Sequence, residues 1–181
     1  MLSEKGNIIL LDKILENEIE IRQADINDLD EILTILDNAA IWLHEIGITN
    51  QWTPGEVFID DGYFKNSILQ NHFFVAINKN KIVGTFLIRW SDKDLWGEND
   101  GDAGYIHHLA IDRNCSIVNL GNKLLELAEN KIRDNNKTYI RLDCIENNQK
   151  LNQYYLDRNY DFIKHCIYYD DSTGNLYEKK K

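Results

Sequence analysis

The feature that most constrains this sequence is a strand–helix–strand run in its second half. Residues 103–111 read as a strand, Leu120, Leu124, Leu125, Ala128 and Ile132 recur at helical spacing up to about Asn135-Asn136, and residues 138–144 read as a strand again. A helical crossover of this kind makes neighbouring parallel strands. The chain is therefore expected to build an α/β domain, a mixed β-sheet flanked by helices.

The remaining segments fill in that sheet. Glu18-Ile19-Glu20-Ile21-Arg22 alternates with period two and predicts a strand. Asp25 reads as an N-cap, with Asp28 placed favourably toward the helix dipole. Leu29, Ile32, Leu33, Leu36, Ala40 and Leu43 then form an amphipathic stripe. After a loop from Gly47 to Gly55, a second helix is predicted from about Glu56 to Gln70. Residues 72–77 and 81–90 predict an antiparallel hairpin across Asn78-Lys79-Asn80. A polar loop spans Ser91 to Asp102. A helix is predicted over 148–158, a strand over 160–169 and a short last strand around Leu176. Ile8-Ile9-Leu10-Leu11 either docks onto the domain or belongs to an ordered extension, so residues 1–17 are set apart as an N-terminal extension from a domain of residues 18–181.

A length of 181 residues with a single proline, Pro54, and no low-complexity stretch fits one domain. Thirty acidic against 20 basic residues leave a net charge of −10. Such a chain lacks the cationic footprint of a nucleic-acid or anionic-membrane binder, and its field attracts cations instead. No apolar run approaches the length of a membrane span. Cys115, Cys144 and Cys166 are odd in number and widely spaced, which points to neither a disulfide framework nor a zinc site. The expected compartment is a reducing cytoplasm.

The loop after residues 103–111 runs straight into a helix start near Leu120, where unpaired N–H groups and a positive dipole end can hold a phosphate. Gly121 would permit close backbone approach. Further on, Arg141-Leu142-Asp143-Cys144 leads to Asn147-Asn148, Leu151, Tyr154, Tyr155 and Tyr160. Together with Tyr105-Ile106-His107-His108-Leu109-Ala110-Ile111, this resembles the GNAT superfamily of N-acetyltransferases, whose members carry an Asn and, seven residues on, a Tyr; here these are Asn148 and Tyr155. The element order agrees over about residues 18–178, and further echoes are Trp42-Leu43, Gln51-Trp52, Asp92 and Trp96-Gly97. One departure stands out. The family loop reads Gln/Arg-x-x-Gly-x-Gly/Ala, whereas the matching residues are Ser116-Ile117-Val118-Asn119-Leu120-Gly121. Asn119 can adopt the left-handed conformation that a glycine would supply, whereas β-branched Ile117 would be strained there. Because backbone N–H groups do most of the holding, a change of side chains need not abolish phosphate binding.

The resemblance implies splayed central parallel strands, with acetyl-CoA lying between them as co-substrate. Backbone groups near Leu109, Ala110 and Ile111 would bind the pantetheine arm, and Ser116, Ile117, Val118, Asn119, Leu120, Gly121 and Asn122 the pyrophosphate. It places Tyr155 as the acid that protonates the leaving thiolate; Tyr154 is the adjacent alternative, about 100° away around the helix. Asn148 is expected to contact the cofactor, to cap a helix, or both. His107 and His108 should face opposite sides of their strand, which speaks against shared metal chelation, and no metal is expected. They are either a base with its neighbour, with His107 preferred as the base, or a packed pair. Asp143 and the acidic loop 92–102 would attract a cationic acceptor, and Trp52, Trp90 and Trp96 would line its pocket. The implied reaction is acetylation of a primary amine on a small molecule or peptide by direct attack. The rival reading is a catalytically weak or inactive ligand-binding or regulatory domain whose cofactor loop has degenerated, and another acyl-CoA is a third. No nucleic acid or membrane is expected as partner, and the likeness allows a homodimer through sheet edges.

Overall fold

The computed structural model describes residues 11–14, 19–59, 61–98, 102–168 and 170–181. Its strands are β1 (Leu11–Ile14), β2 (Ile19–Gln23), β3 (Phe73–Asn78), β4 (Lys81–Arg89), β5 (Ala103–Ile111), β6 (Tyr139–Ile145), β7 (Asp161–Ile167) and β8 (Thr173–Lys180). They form one sheet in the order β1-β2-β3-β4-β5-β6-β8-β7. β5 and β6 pair in parallel and every other neighbouring pair is antiparallel. The helices are α1 (Leu29–Glu45), α2 (Gly62–Leu69), α3 (Lys93–Trp96), α4 (Leu120–Asp134) and α5 (Gln149–Leu156).

The two faces of the sheet carry separate cores, which is why β3 reads as a continuous apolar run rather than an alternating one. Phe73 and Val75 pack with Ile32, Leu33 and Leu36 of α1 and with Phe64 and Ile68 of α2. Phe74 and Ala76 turn the other way, to the stripe of Leu124, Leu125, Ala128 and Ile132 on α4. Among the described residues no helix is long and apolar enough to cross a membrane.

Several expectations shift in detail. Asp25 does act as a cap, but of a short 3-10 turn ahead of α1: its side chain accepts from the Asn27 N–H at 2.8 Å. Asp28 completes the corner, accepting the Asp25 N–H at 2.8 Å and a bidentate pair from Arg22 at 2.6 and 2.8 Å. The helix expected over 56–70 is instead a 3-10 turn, Glu56–Phe58, followed by α2, with Gly55 left-handed at φ 82° before it. The polar loop 91–102 contains the single turn of α3. Ile8, Ile9 and Leu10 lie outside the described residues, whereas Leu11–Ile14 pairs antiparallel with β2 and continues the sheet.

Gly104 marks the closest approach of helix to sheet. A Cβ there would lie 2.6 Å from Cγ1 and 2.8 Å from Cγ2 of Ile132. Both atoms sit on a branched, fully buried side chain with little room to yield. Gly104→Ala is therefore expected to cost about 1–3 kcal/mol through overpacking. Urea unfolding measures this, and a loss below about 0.5 kcal/mol, the ordinary scatter of surface changes, would mean that α4 slides freely on β5.

Candidate active site

The site begins with an irregularity in β5. Leu87 pairs with His107 and Thr85 with Ala110, so His108 and Leu109 together oppose Phe86. This is a β-bulge, and His108 takes the left-handed conformation at φ 49°. Histidine is one of the few non-glycine types enriched there, though at some strain. The bulge bends β5 away from β6, whose parallel pairing stops at Ile106–Leu142 although both strands continue. The central parallel strands are thus splayed, and a cleft of about 820 Å³ opens between them.

At one end of the cleft lies the N-terminus of α4. Asn119 is left-handed at φ 61°, and Asn119, Leu120, Gly121 and Asn122 all line the cleft. The first amide with an intrahelical partner is that of Lys123, bonded to the Asn119 carbonyl at 3.1 Å. The N–H groups of residues 120–122 precede it and lie at the positive end of the helix dipole. Nothing lies within 4 Å of where a Cβ on Gly121 would be, which leaves space for a ligand to approach the backbone. The donor set fits a pyrophosphate.

The adjoining wall carries Tyr154 and Tyr155 of α5. The Tyr154 hydroxyl donates to Asn122 Oδ1 at 2.8 Å, and Arg158 covers its ring at 3.5 Å while donating to the same Oδ1 at 2.6 Å. Tyr155 is packed among Tyr154, Tyr160 and Tyr177, and lines the cleft. Its hydroxyl has no hydrogen-bond partner among the described residues, and burial holds its pKa above the ordinary phenol value, so it stays protonated. Asn148 is not among the cleft-lining residues. Its Oδ1 caps α5 through the Leu151 N–H at 3.1 Å, and its Nδ2 donates to Gln51 Oε1 at 3.0 Å, which ties loop 47–55 and Trp52 over the cleft.

His107 and His108 do not simply face opposite ways. The bulge breaks the alternation, and both line the cleft with ring centroids 6.4 Å apart. Their surroundings differ sharply. His108 sits in an aromatic box of Trp52, Tyr63, Phe64 and Phe73, with centroids 5.3–6.2 Å away. Burial, helped by His107 and Arg89, pushes its pKa down to about 3. His107 instead lies between two carboxylates: Nε2 is 3.2 Å from Asp92 Oδ2 and Nδ1 is 3.7 Å from Asp143 Oδ1. Asp92 belongs to the loop expected to be solvated, yet it is 2% exposed. Asp143 accepts the Tyr168 hydroxyl at 2.6 Å, and burial raises its pKa. One donor atom from each of Asp92, His107 and Asp143 falls within 4.8 Å of the others, so this trio is the group that could hold a metal ion among the described residues.

Comparison with known proteins fits this geometry. The sequence model of the acetyltransferase (GNAT) family matches residues 37–162. The chain belongs to the GNAT acetyltransferase family. It is 30% identical over 159 residues to the uncharacterized N-acetyltransferase YesJ of Bacillus subtilis, a match covering 84% of this chain and 85% of YesJ. A GNAT-family acetyltransferase structure from Listeria monocytogenes superposes with a TM-score of 0.73 at 26% identity, covering 91% of this chain and 96% of that one. PaiA N-acetyltransferase from Thermoplasma acidophilum, solved in complex with coenzyme A, superposes with a TM-score of 0.67 at 17% identity, covering 90% and 99%.

For this GNAT chain the cleft gathers His107, Leu109, Ile111, Ile117, Asn119, Leu120, Gly121, Asn122 and Tyr155 of the expected site residues. It omits four. Ala110 is buried in the core against α1, Ser116 and Asn148 lie off the wall, and Val118 is 74% exposed. Of the three tryptophans expected at the pocket, Trp52 joins the cleft, where Trp42 joins it; Trp96 packs on Tyr105 and Arg141, and Trp90 lines a separate hollow beside Arg89. Tyr168 and Glu56 line the cleft without having been expected there. Tyr168 carries no local signal, because it reaches Asp143 only through strand pairing.

His108 gives a testable pH dependence. Its pKa is about 3 in the fold against an ordinary 6.5, so between these values the unfolded chain binds the extra proton. Stability contributed by the neutral ring is thus complete above about pH 6.5 and is lost as pH falls toward 3. His108→Asn, which tolerates the left-handed backbone, should flatten the slope of unfolding free energy by up to about 1.4 kcal/mol per pH unit across that window. Urea midpoints of both proteins at several pH values check this, and parallel slopes would mean that the ring is protonated in place.

Proposed function

We propose that this chain transfers the acetyl group of acetyl-CoA to a primary amine of a small molecule or peptide, by direct attack in a ternary complex. The observation that carries the reading is one cleft joining the free N–H groups opening α4, the splay between β5 and β6, and the unpartnered hydroxyl of Tyr155. The coenzyme A complex of PaiA supports the same reading by likeness of fold. Residues 119–122 would receive the pyrophosphate, and Leu109 and Ile111 the pantetheine arm.

An alkylammonium with a pKa of about 10.4 is almost entirely charged at neutral pH, so a proton must leave before the nitrogen can attack. His107 is the base in this reading. The amine lone pair then forms the new C–N bond at the thioester carbonyl, whose oxygen is stabilised by a backbone N–H beside the bulge. The C–S bond breaks as Tyr155 gives its proton to sulfur, and the second proton of the attacking nitrogen restores the phenol. The net charge of −10, together with Asp143, Glu56 and Asp170 in the cleft wall, favours a cationic acceptor.

Calorimetric titration with acetyl-CoA and CoA is the direct test, with micromolar binding expected. Gly121→Glu should weaken it tenfold or more, because the new carboxylate meets the phosphates at a helix start. Absence of binding up to millimolar concentration would leave a recognition domain of the same fold. Tyr155→Phe should lower turnover about a hundredfold while CoA affinity stays within twofold. Equal turnover would remove Tyr155 from the chemistry.

A further inference from the structure

The arrangement around His107 goes beyond a lone base, and its reading rests on the acetyl transfer just proposed. Asp92 Oδ2 and His107 Nε2 are both sealed from solvent, and neither has a hydrogen-bond partner among the described residues, each other included. They face each other at 3.2 Å. A carboxylate oxygen and an unprotonated ring nitrogen are both acceptors, and leaving two buried acceptors face to face is costly. A proton on Nε2 removes that cost once a small turn of either side chain aligns it with the Asp92 oxygen. With Nε2 protonated, Nδ1 of the neutral ring carries the lone pair.

Nδ1 looks toward Asp143 Oδ1 across 3.7 Å, too far for a direct hydrogen bond. The other Asp143 oxygen is already occupied by the Tyr168 hydroxyl. Both His107 and Asp143 line the cleft, so two acceptors stand side by side at its wall with no donor of their own. A primary ammonium, with three N–H bonds, satisfies both at once; a tertiary ammonium, with one, does not.

We propose that Asp92 is a positioning residue that fixes the proton of His107 on Nε2, and that Nδ1 and Asp143 Oδ1 together form the seat of the acceptor's primary ammonium. In the first step an N–H bond of the ammonium breaks and the Nδ1–H bond forms. The resulting imidazolium lies between the carboxylates of Asp92 and Asp143, and the amine lone pair is freed for the thioester. The other groups near His107 are accounted for: His108, on the same strand, is neutral in its aromatic box, and Tyr168 acts through Asp143.

The deciding experiment is long-range nitrogen–proton NMR of the histidine rings in the full-length protein, at about pH 8.5, two units above the ordinary histidine value. His107 should show its proton on Nε2, and Asp92→Asn should move it to Nδ1 or to a mixture. In turnover assays Asp92→Asn should lower kcat at least tenfold with KM for the amine within threefold, and Asp92→Glu should recover part of the loss. Asp143→Asn should raise KM for a primary amine at least tenfold. Acetyl-CoA affinity within twofold of the parent protein certifies that each variant is folded. A His107 ring protonated on Nδ1 alone or on both nitrogens, a tautomer unmoved by Asp92→Asn, or a stoichiometric metal ion in the purified protein would overturn the proposal. A protein that neither binds acetyl-CoA nor turns over amines would sink the acetyl-transfer reading instead, while the spectra would still report on the Asp92–His107 pair.

Discussion

The structure turns on one backbone irregularity, the extra residue that β5 inserts opposite Phe86. Without it, β5 and β6 would continue their parallel ladder to the ends of both strands and no cleft would open between them. With it, pairing with β6 ends at Ile106–Leu142, and the following residues keep β4 alone as a strand neighbour. The bulge also sets three consecutive side chains, His107, His108 and Leu109, along the cleft wall. Holding His108 at positive φ carries strain, and the aromatic box that clamps its ring over-determines the conformation, as a persistent strained residue requires.

The α4 end of the cleft, where the cofactor is proposed to bind, shows why its loop can diverge in sequence. What a pyrophosphate needs is a set of unpaired N–H groups and space to reach them, and neither demands particular side chains. Asn119 supplies the left-handed turn in place of a glycine, and Gly121 keeps the approach open. Ile117, whose branched Cβ would resist a positive φ, is not asked to adopt one. The departures from the family pattern fall where the chain tolerates them, on Ser116 and Asn119, both of which are exposed.

Much of the fold was legible in the sequence because period and punctuation agree for each element. The stripe on α4 and the strand at 103–111 were visible in their residues, and so was the crossover that makes β5 and β6 parallel. The site was legible only in part. Strict alternation placed His107 and His108 on opposite faces, and no local signal in Tyr-Ile-His-His-Leu-Ala-Ile announces a bulge, since the cause is the register against β4. Asp92 looked like one more acidic loop residue. Its burial comes from the short turn of α3 and the packing of Trp96 against Tyr105, which are tertiary facts. Asn148 was visible as a cap, but not its bond to Gln51, 97 positions away.

Two adjacent histidines have been given opposite electrostatic environments, and the contrast follows from what each ring touches. Apolar rings surround His108 and offer nothing to a positive charge, so the neutral form wins. His107 instead stands between the carboxylates of Asp92 and Asp143, at 3.2 and 3.7 Å. The far strands share in this. β8 inserts between β6 and β7, and Tyr168 lies across Gly174, where any Cβ would run into its ring. Only that missing side chain lets the Tyr168 hydroxyl reach Asp143. The C-terminal hairpin therefore sets which oxygen of Asp143 remains free to face the cleft, and with it the chemistry available beside His107.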